Sequence, residues 1–196
     1  FIHNYASKFL NIDFQAAQPT LTFINGKYYG ILNMREKYNS AFLDYNYGDD
    51  NQYNLLKSWG VPIIGENKAY VELKIKIKSI FNDPNKYNNQ DIKNVIKYFD
   101  IKNWTDYFIL ETYSANMDWF PNNTLFWSSS LHDKWRYLLI DFDASLGAKK
   151  KETYKYNIFN FLSNECDNKE FVVFMKDPTF RDQFITRYMD LLNTFL

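Results

Sequence analysis

Four oxygen-bearing side chains, Asp118, Asn123, Asp141 and Asp143, stand where a single folded-back ribbon would gather them. Asp118 and Asn123 belong to the run Asn116-Met117-Asp118-Trp119-Phe120-Pro121-Asn122-Asn123, and the later acids to Asp141-Phe142-Asp143-Ala144-Ser145-Leu146-Gly147. Between them, apolar runs at 124–128 and 135–140 flank a polar break of the kind that closes a hairpin. With the turn centred near His132 and Asp133, antiparallel pairing brings Asn123 roughly opposite Asp141, their Cα atoms about 5 Å apart. Strand alternation then sends Asp141 and Asp143 to one face and Phe142 to the other. Three carboxylates and an amide make a hard, oxygen-rich cluster suited to Mg²⁺.

An Asp-x4-Asn pair followed by a strand that carries a metal-binding Asp is the arrangement with which protein kinases work. The first Asp accepts the proton of the substrate hydroxyl, while the Asn and the later Asp hold magnesium against the phosphates. The spacing recurs at Asp49/Asn54 and Asp83/Asn88, so spacing alone discriminates poorly. Only the copy at Asp118 is followed, within thirty residues, by an apolar strand ending in paired acids. The plainer reading makes Asp118 and Asn123 loop and capping groups, and Asp141 and Asp143 a strand end at the surface. A metal-dependent hydrolase using the same carboxylates is a third possibility, and it would release phosphate to water.

A chain of 196 residues, 46% hydrophobic and 20% aromatic, suffices for one domain with a proper core. Its formal net charge of zero gives no broad electrostatic grip on nucleic acid or an anionic membrane. Cys166 is alone, so no internal disulfide forms, and two histidines exclude a multi-His metal site. No apolar run reaches the roughly 18 residues of a transmembrane helix. The chain begins at Phe1 without a leader, and is expected to be an excised or processed piece. Compartment is left open.

The elements that must position the four groups follow in order. Residues 1–10 have helical apolar spacing, and 18–24 and 27–34 read as strands around Asn25-Gly26, the strongest short hairpin signal. A helix is expected from Asn39 or Ser40 towards Tyr45, then a loop over 47–68 with one helical piece around 55–59. Residues 69–81 fit both periods, and their length favours helix; Asn82-Asp83-Pro84-Asn85 ends it. Helices follow over 91–99 and 101–115, the second capped by Asp100 and fixed by Trp104, Phe108, Ile109 and Tyr113 so that it delivers Asn116 to Asp118. After the lysine triplet 149–151, read as solvated loop, come a helical region at 158–162 and helices at 171–176 and 178–195, with Asp177 as cap and Pro178 at the first helical position.

With these residues in view, the sequence resembles the CotH family, the spore coat protein H group of atypical kinases. The likeness lies in Phe23 through Gly30, Met34-Arg35-Glu36-Lys37, Asp100 through Trp104, Asn116-Met117-Asp118 with Asn123, and Trp135 through Asp141-Phe142-Asp143 to Gly147; it extends weakly to Asp177 through Arg181. It implies an α+β, atypical protein-kinase-like fold: residues 1–38 a truncated small lobe and hinge, residues 39–196 a mostly helical large lobe with a catalytic β-hairpin. It implies ATP- and Mg²⁺-dependent transfer of phosphate to Ser or Thr of a protein substrate, with no nucleic acid and no membrane span. Related domains occur in secreted, surface and spore-coat proteins. By the same resemblance Asp118 is the catalytic residue that accepts the hydroxyl proton, and Asn123, Asp141 and Asp143 are metal ligands, Asp141 first among the acids. Glu36 in the hinge and Trp135 are purine-side candidates, though a Trp at the head of a strand is more often core than ligand contact. The pattern wants a strand lysine and its glutamate partner before or at the opening of the first helix; that helix has no Glu, the first strands being either removed or lost, so no catalytic lysine is assigned. A kinase-like binding or adhesion module with a residual acid cluster is the alternative.

Overall fold

In a computed structural model of the chain, residues 2–48, 52–148, 152–165 and 169–196 are described. The fold is α+β. Helix α1 (Ile2–Phe9) leads to a two-stranded ribbon, β1 (Ala17–Ile24) and β2 (Lys27–Arg35), whose turn residues Asn25 and Gly26 have φ of +50° and +76°. Two consecutive positive φ values make a tight turn whose twist matches that of the strands, as the Asn-Gly pair predicts. The register runs from Ala17↔Arg35 to Ile24↔Lys27, with a bulge between Thr22 and Phe23.

Side-chain caps set the helix starts that the sequence marks. Asn39 accepts from the Phe42 amide (3.0 Å) to begin α2 (Ser40–Tyr47). Asp100 accepts from Asn103 (3.2 Å) to begin α5 (Ile101–Tyr113), and Asp177 from Phe180 (2.8 Å) to begin α8 (Pro178–Thr194). Between them lie α3 (Lys68–Asn82) and α4 (Asn89–Ile96), the latter opened by a reciprocal capping box of Asn88 and Asp91 two residues before the expected start. Near the end come α6 (Ile158–Asn160), which runs on into a π-turn, and α7 (Glu170–Phe174). Cys166 and the lysine triplet lie outside the described residues.

The expected loop over 47–68 is overturned. It forms β3 (Tyr53–Lys57) and β4 (Val61–Ile64), joined by a 3-10 turn at Ser58–Gly60, and only that turn survives of the expected helical piece. With β5 (Leu125–Ser129) and β6 (Arg136–Leu138) they make an antiparallel sheet in the order β4-β3-β5-β6. Pro62 is accommodated because β4 is an edge strand, where a missing N–H need not break a ladder.

Burial of β3, β5 and β6 on both faces makes this sheet the organiser of the molecule. Leu55, Leu125, Trp127 and Leu138 point into one core with Tyr38, Phe42 and Leu43. Leu56, Phe126 and Tyr137, next to them in sequence, point into the larger core of α3, α5 and α8. In that larger core Trp104 stacks on Phe108 with centroids 3.8 Å apart. Tyr113 departs from the expected apolar face of α5: it is exposed, and its hydroxyl donates to the Leu196 carbonyl (3.0 Å).

Candidate active site at the open end of the buried ribbon

Helix α5 delivers the first loop as its spacing predicts, and two backbone hydrogen bonds pin that loop to the second. The Met117 amide donates to the Ala144 carbonyl (3.4 Å), and the Leu146 amide to the Ser114 carbonyl (2.7 Å). Asp118 and Asp143 are therefore each one residue from a bonded pair. Asn123 Nδ2 donates to Asp118 Oδ2 (3.2 Å), and the Asp118 amide to Asn116 Oδ1 (3.3 Å). Asp118 and Asn123 are half-buried, whereas Asp141 and Asp143 are exposed.

The ribbon itself ends short of the acids. Pairing runs Leu125↔Leu138, Phe126↔Tyr137 and Trp127↔Arg136, so a continued register would set Asn123 opposite Ile140, one residue from the expected partner Asp141. Nor does Asp141 lie on a strand: β6 stops at Leu138, and Asp141 has a left-handed φ of +48°. Phe142 nevertheless packs inward against the core while its acidic neighbours face out. A turn at Phe142–Ser145, with Ser145 Oγ donating to the Phe142 carbonyl (2.7 Å), replaces the strand alternation that sequence spacing suggests.

Backbone strain collects at the same place. Of the seven non-glycine residues with positive φ among the described residues, Ala115, Phe120, Asn123, Asp141 and Leu146 belong to these two loops. Such conformations cost about 1–3 kcal/mol each and persist where the surroundings over-determine them, most often at functional sites. The surroundings here are specific. Trp119 is buried and its indole donates to Tyr107 Oη (3.0 Å), while Asn116 Nδ2 donates to Glu111 Oε2 (3.0 Å) beneath the loop. Burial pushes the Glu111 carboxyl well above its usual range, opposed by the hydrogen bonds from Asn116 and Tyr107.

Two further polar knots hold the ribbon against its helices. Arg136 grips Asp13 through Nε (3.0 Å) and Nη2 (2.6 Å) and also donates to Asp100, the cap of α5. Trp127 Nε1 (2.8 Å) and Tyr47 Oη donate to the same Asp13 carboxylate. Glu170 is fully buried and accepts from Tyr137 Oη (2.8 Å), Tyr70 Oη (3.4 Å) and Trp104 Nε1 (3.4 Å), with Lys74 at 3.9 Å. None of Glu111, Asp13 and Glu170 stands out in a motif. The signal available for Glu111 was an acid inside the otherwise apolar Phe108–Thr112 stretch of α5.

The two purine-side candidates have structural contacts of their own. Trp135 is 4% exposed, with its ring on Tyr70 and Phe126, so packing accounts for it as core. It also sits at the turn end of the ribbon, about 20 Å along an extended chain from Asp141. Glu36 closes the base of the β1–β2 ribbon, where its carboxylate accepts from the Ala16 amide (2.8 Å) and its carbonyl from Gln15 Nε2 (2.6 Å). Among the described residues no three His, Cys, Asp or Glu side chains lie close enough together to hold a metal ion by themselves.

A family model described as CotH kinase protein matches residues 6–196. The chain belongs to this family. No curated protein matches it.

Proposed function

We propose that the domain has a kinase-like fold and transfers the γ-phosphate of ATP to Ser or Thr of a protein substrate, in a Mg²⁺-dependent reaction. The observation that carries this reading is the pinning of the Asp118 loop to the Asp143 loop, with Asn123 bonded to Asp118. Asp118 would accept the proton of the substrate hydroxyl and orient that oxygen for in-line attack. Its hydrogen bond from Asn123 holds one carboxylate oxygen in place. Asn123, Asp141 and Asp143 would hold the metal. Their donor set fits: Mg²⁺ in phosphoryl-transfer sites takes one or two carboxylates and completes its shell with phosphates and water, so a three-acid cage is not required. When bound, the ion supplies charge neutralisation at the phosphates. Glu36 would act through its place at the base of the hinge, and Trp135 through support of the ribbon from within the core.

A labelled-ATP transfer assay on the full-length protein, comparing wild type with Asp118→Asn and Asp141→Asn, tests the reading. Transfer to a protein acceptor should fall by about 10²–10⁴-fold in Asp118→Asn, with unchanged circular dichroism. Equal labelling by all three proteins would remove these acids from the chemistry, and phosphate release to water without labelled acceptor would favour a hydrolase.

A further inference from the structure

A cavity of about 250 Å³ lies between α3, the β3–β4 turn and the Phe120–Pro121 stretch. Its walls are aromatic, built from Trp59, Tyr70, Phe120 and Phe126, and three lysines, Lys74, Lys78 and Lys169, line it as well. No carboxylate is among the described lining residues. In a chain of zero formal net charge this is a local excess of positive charge against flat apolar surface. The volume is somewhat below that of drug-sized pockets, roughly 300–1,000 Å³, and suits a smaller body.

Two of the lysines are already engaged nearby. Lys74 lies 3.9 Å from Glu170, and the Lys169 ammonium lies 4.6 Å from the centre of the Phe81 ring. Lys78 makes no ion pair among the described residues, and it is exposed one turn of α3 beyond Lys74.

Trp59 is the second observation. It has a left-handed φ of +69°, costly for a bulky residue, yet its indole is 65% exposed and takes no part in either core. Gly60 beside it also has a positive φ, and a Cβ there would meet the Tyr70 ring at 3.0 Å, so the turn is pressed against the cavity wall. Core packing therefore gives no reason for a strained tryptophan at this lip. A ligand that covers the indole does.

We infer that this cavity is a binding site for a small aromatic anion, one or two rings bearing a carboxylate, sulfonate or phosphate. The rings lie among Trp59, Tyr70 and Phe120, and the charged group is met by Lys78 with help from Lys74 and Lys169. The site stands on its lining residues alone, and needs neither nucleotide nor phosphotransfer at Asp118. Because Phe120 lies between Asp118 and Asn123, an occupant would also buttress their loop.

Fluorescence offers a direct test, since the other four tryptophans are buried and Trp59 is the exposed one. Titration with naphthalene-2-sulfonate should give a saturable blue shift of the exposed-tryptophan emission, absent in Trp59→Phe. The neutral 2-methylnaphthalene should bind at least about fivefold more weakly, and Lys78→Gln should weaken the sulfonate about threefold, the scale of one exposed charge. Ile75→Glu, which sets a negative charge on an exposed lining position, should weaken it about tenfold. Lys78 and Ile75 are exposed, so both variants should keep wild-type circular dichroism. Asp118→Asn should bind as wild type does, which separates this site from the phosphotransfer reading. Absence of a saturable shift would overturn the inference, as would equal affinity for the neutral and charged probes or an Ile75→Glu protein that binds normally.

Discussion

The molecule contains two antiparallel ribbons of opposite fate. The β5–β6 ribbon is buried on both faces, with Trp127 in one core and Phe126 and Tyr137 in the other. The β1–β2 ribbon shows its apolar residues to solvent, Leu21 at 66% and its cross-strand partner Ile31 at 64% exposure. Both have strand-forming composition, and the exposed one has the better turn. Local sequence therefore makes a ribbon, and what packs on it decides whether that ribbon can hold a site to a fraction of an ångström. The candidate acids lie at the end of the ribbon that is packed on both faces.

Arg136→Ala attacks that rigidity most directly. The side chain is 14% exposed and ties β6 both to Asp13 and to the cap of α5, so its loss leaves a buried carboxylate without its cation. Urea unfolding should show a cost of about 3–5 kcal/mol. A cost below about 1 kcal/mol would mean that the polar knot does not fix the buried ribbon.

Glu111 sharpens the comparison through pH. Its carboxyl is raised by burial, so the folded state holds a proton that the unfolded state has released above its ordinary value near 4.5. Stability from this group is present below that value and is lost as pH rises towards the folded-state value, by up to about 1.4 kcal/mol per pH unit. Glu111→Gln should flatten that fall and be the more stable protein at neutral pH, as thermal melts at pH 4.5 to 7.5 would show. Parallel melting curves for the two proteins would place Glu111 outside the pH response.

Leu21→Ala gives the smallest effect. On the exposed ribbon it should cost about 0.5 kcal/mol or less in the same urea experiment. A loss comparable with that of Arg136→Ala would erase the contrast between the ribbons.

How much of this was legible in the sequence follows the same division. The Asn25-Gly26 turn and the caps Asp100 and Asp177 act through the chain immediately around them, and each is found where it was expected, as is the helix start at Ser40. Strands β3 and β4 were hidden because Gly60 and Pro62 read as breakers, and only the sheet order makes Pro62 an edge residue. The left-handed Asp141 was equally out of reach, since the bond from Met117 to Ala144 that holds its loop joins segments far apart in sequence. Spacing brought Asp118 and Asn123 together correctly; the register across the ribbon was one residue out.

The fully buried Glu170 has a bearing on how the chain is made. Its donors Tyr70, Trp104 and Tyr137 are all synthesised before it, and in the finished protein they share its carboxylate. A nascent polypeptide emerging from the ribosome therefore lacks their common acceptor until Glu170 itself has been translated. The closing of the interior is in this way tied to the translation of this one residue, and a ribosome stalled before its codon would leave three polar aromatics without their native partner.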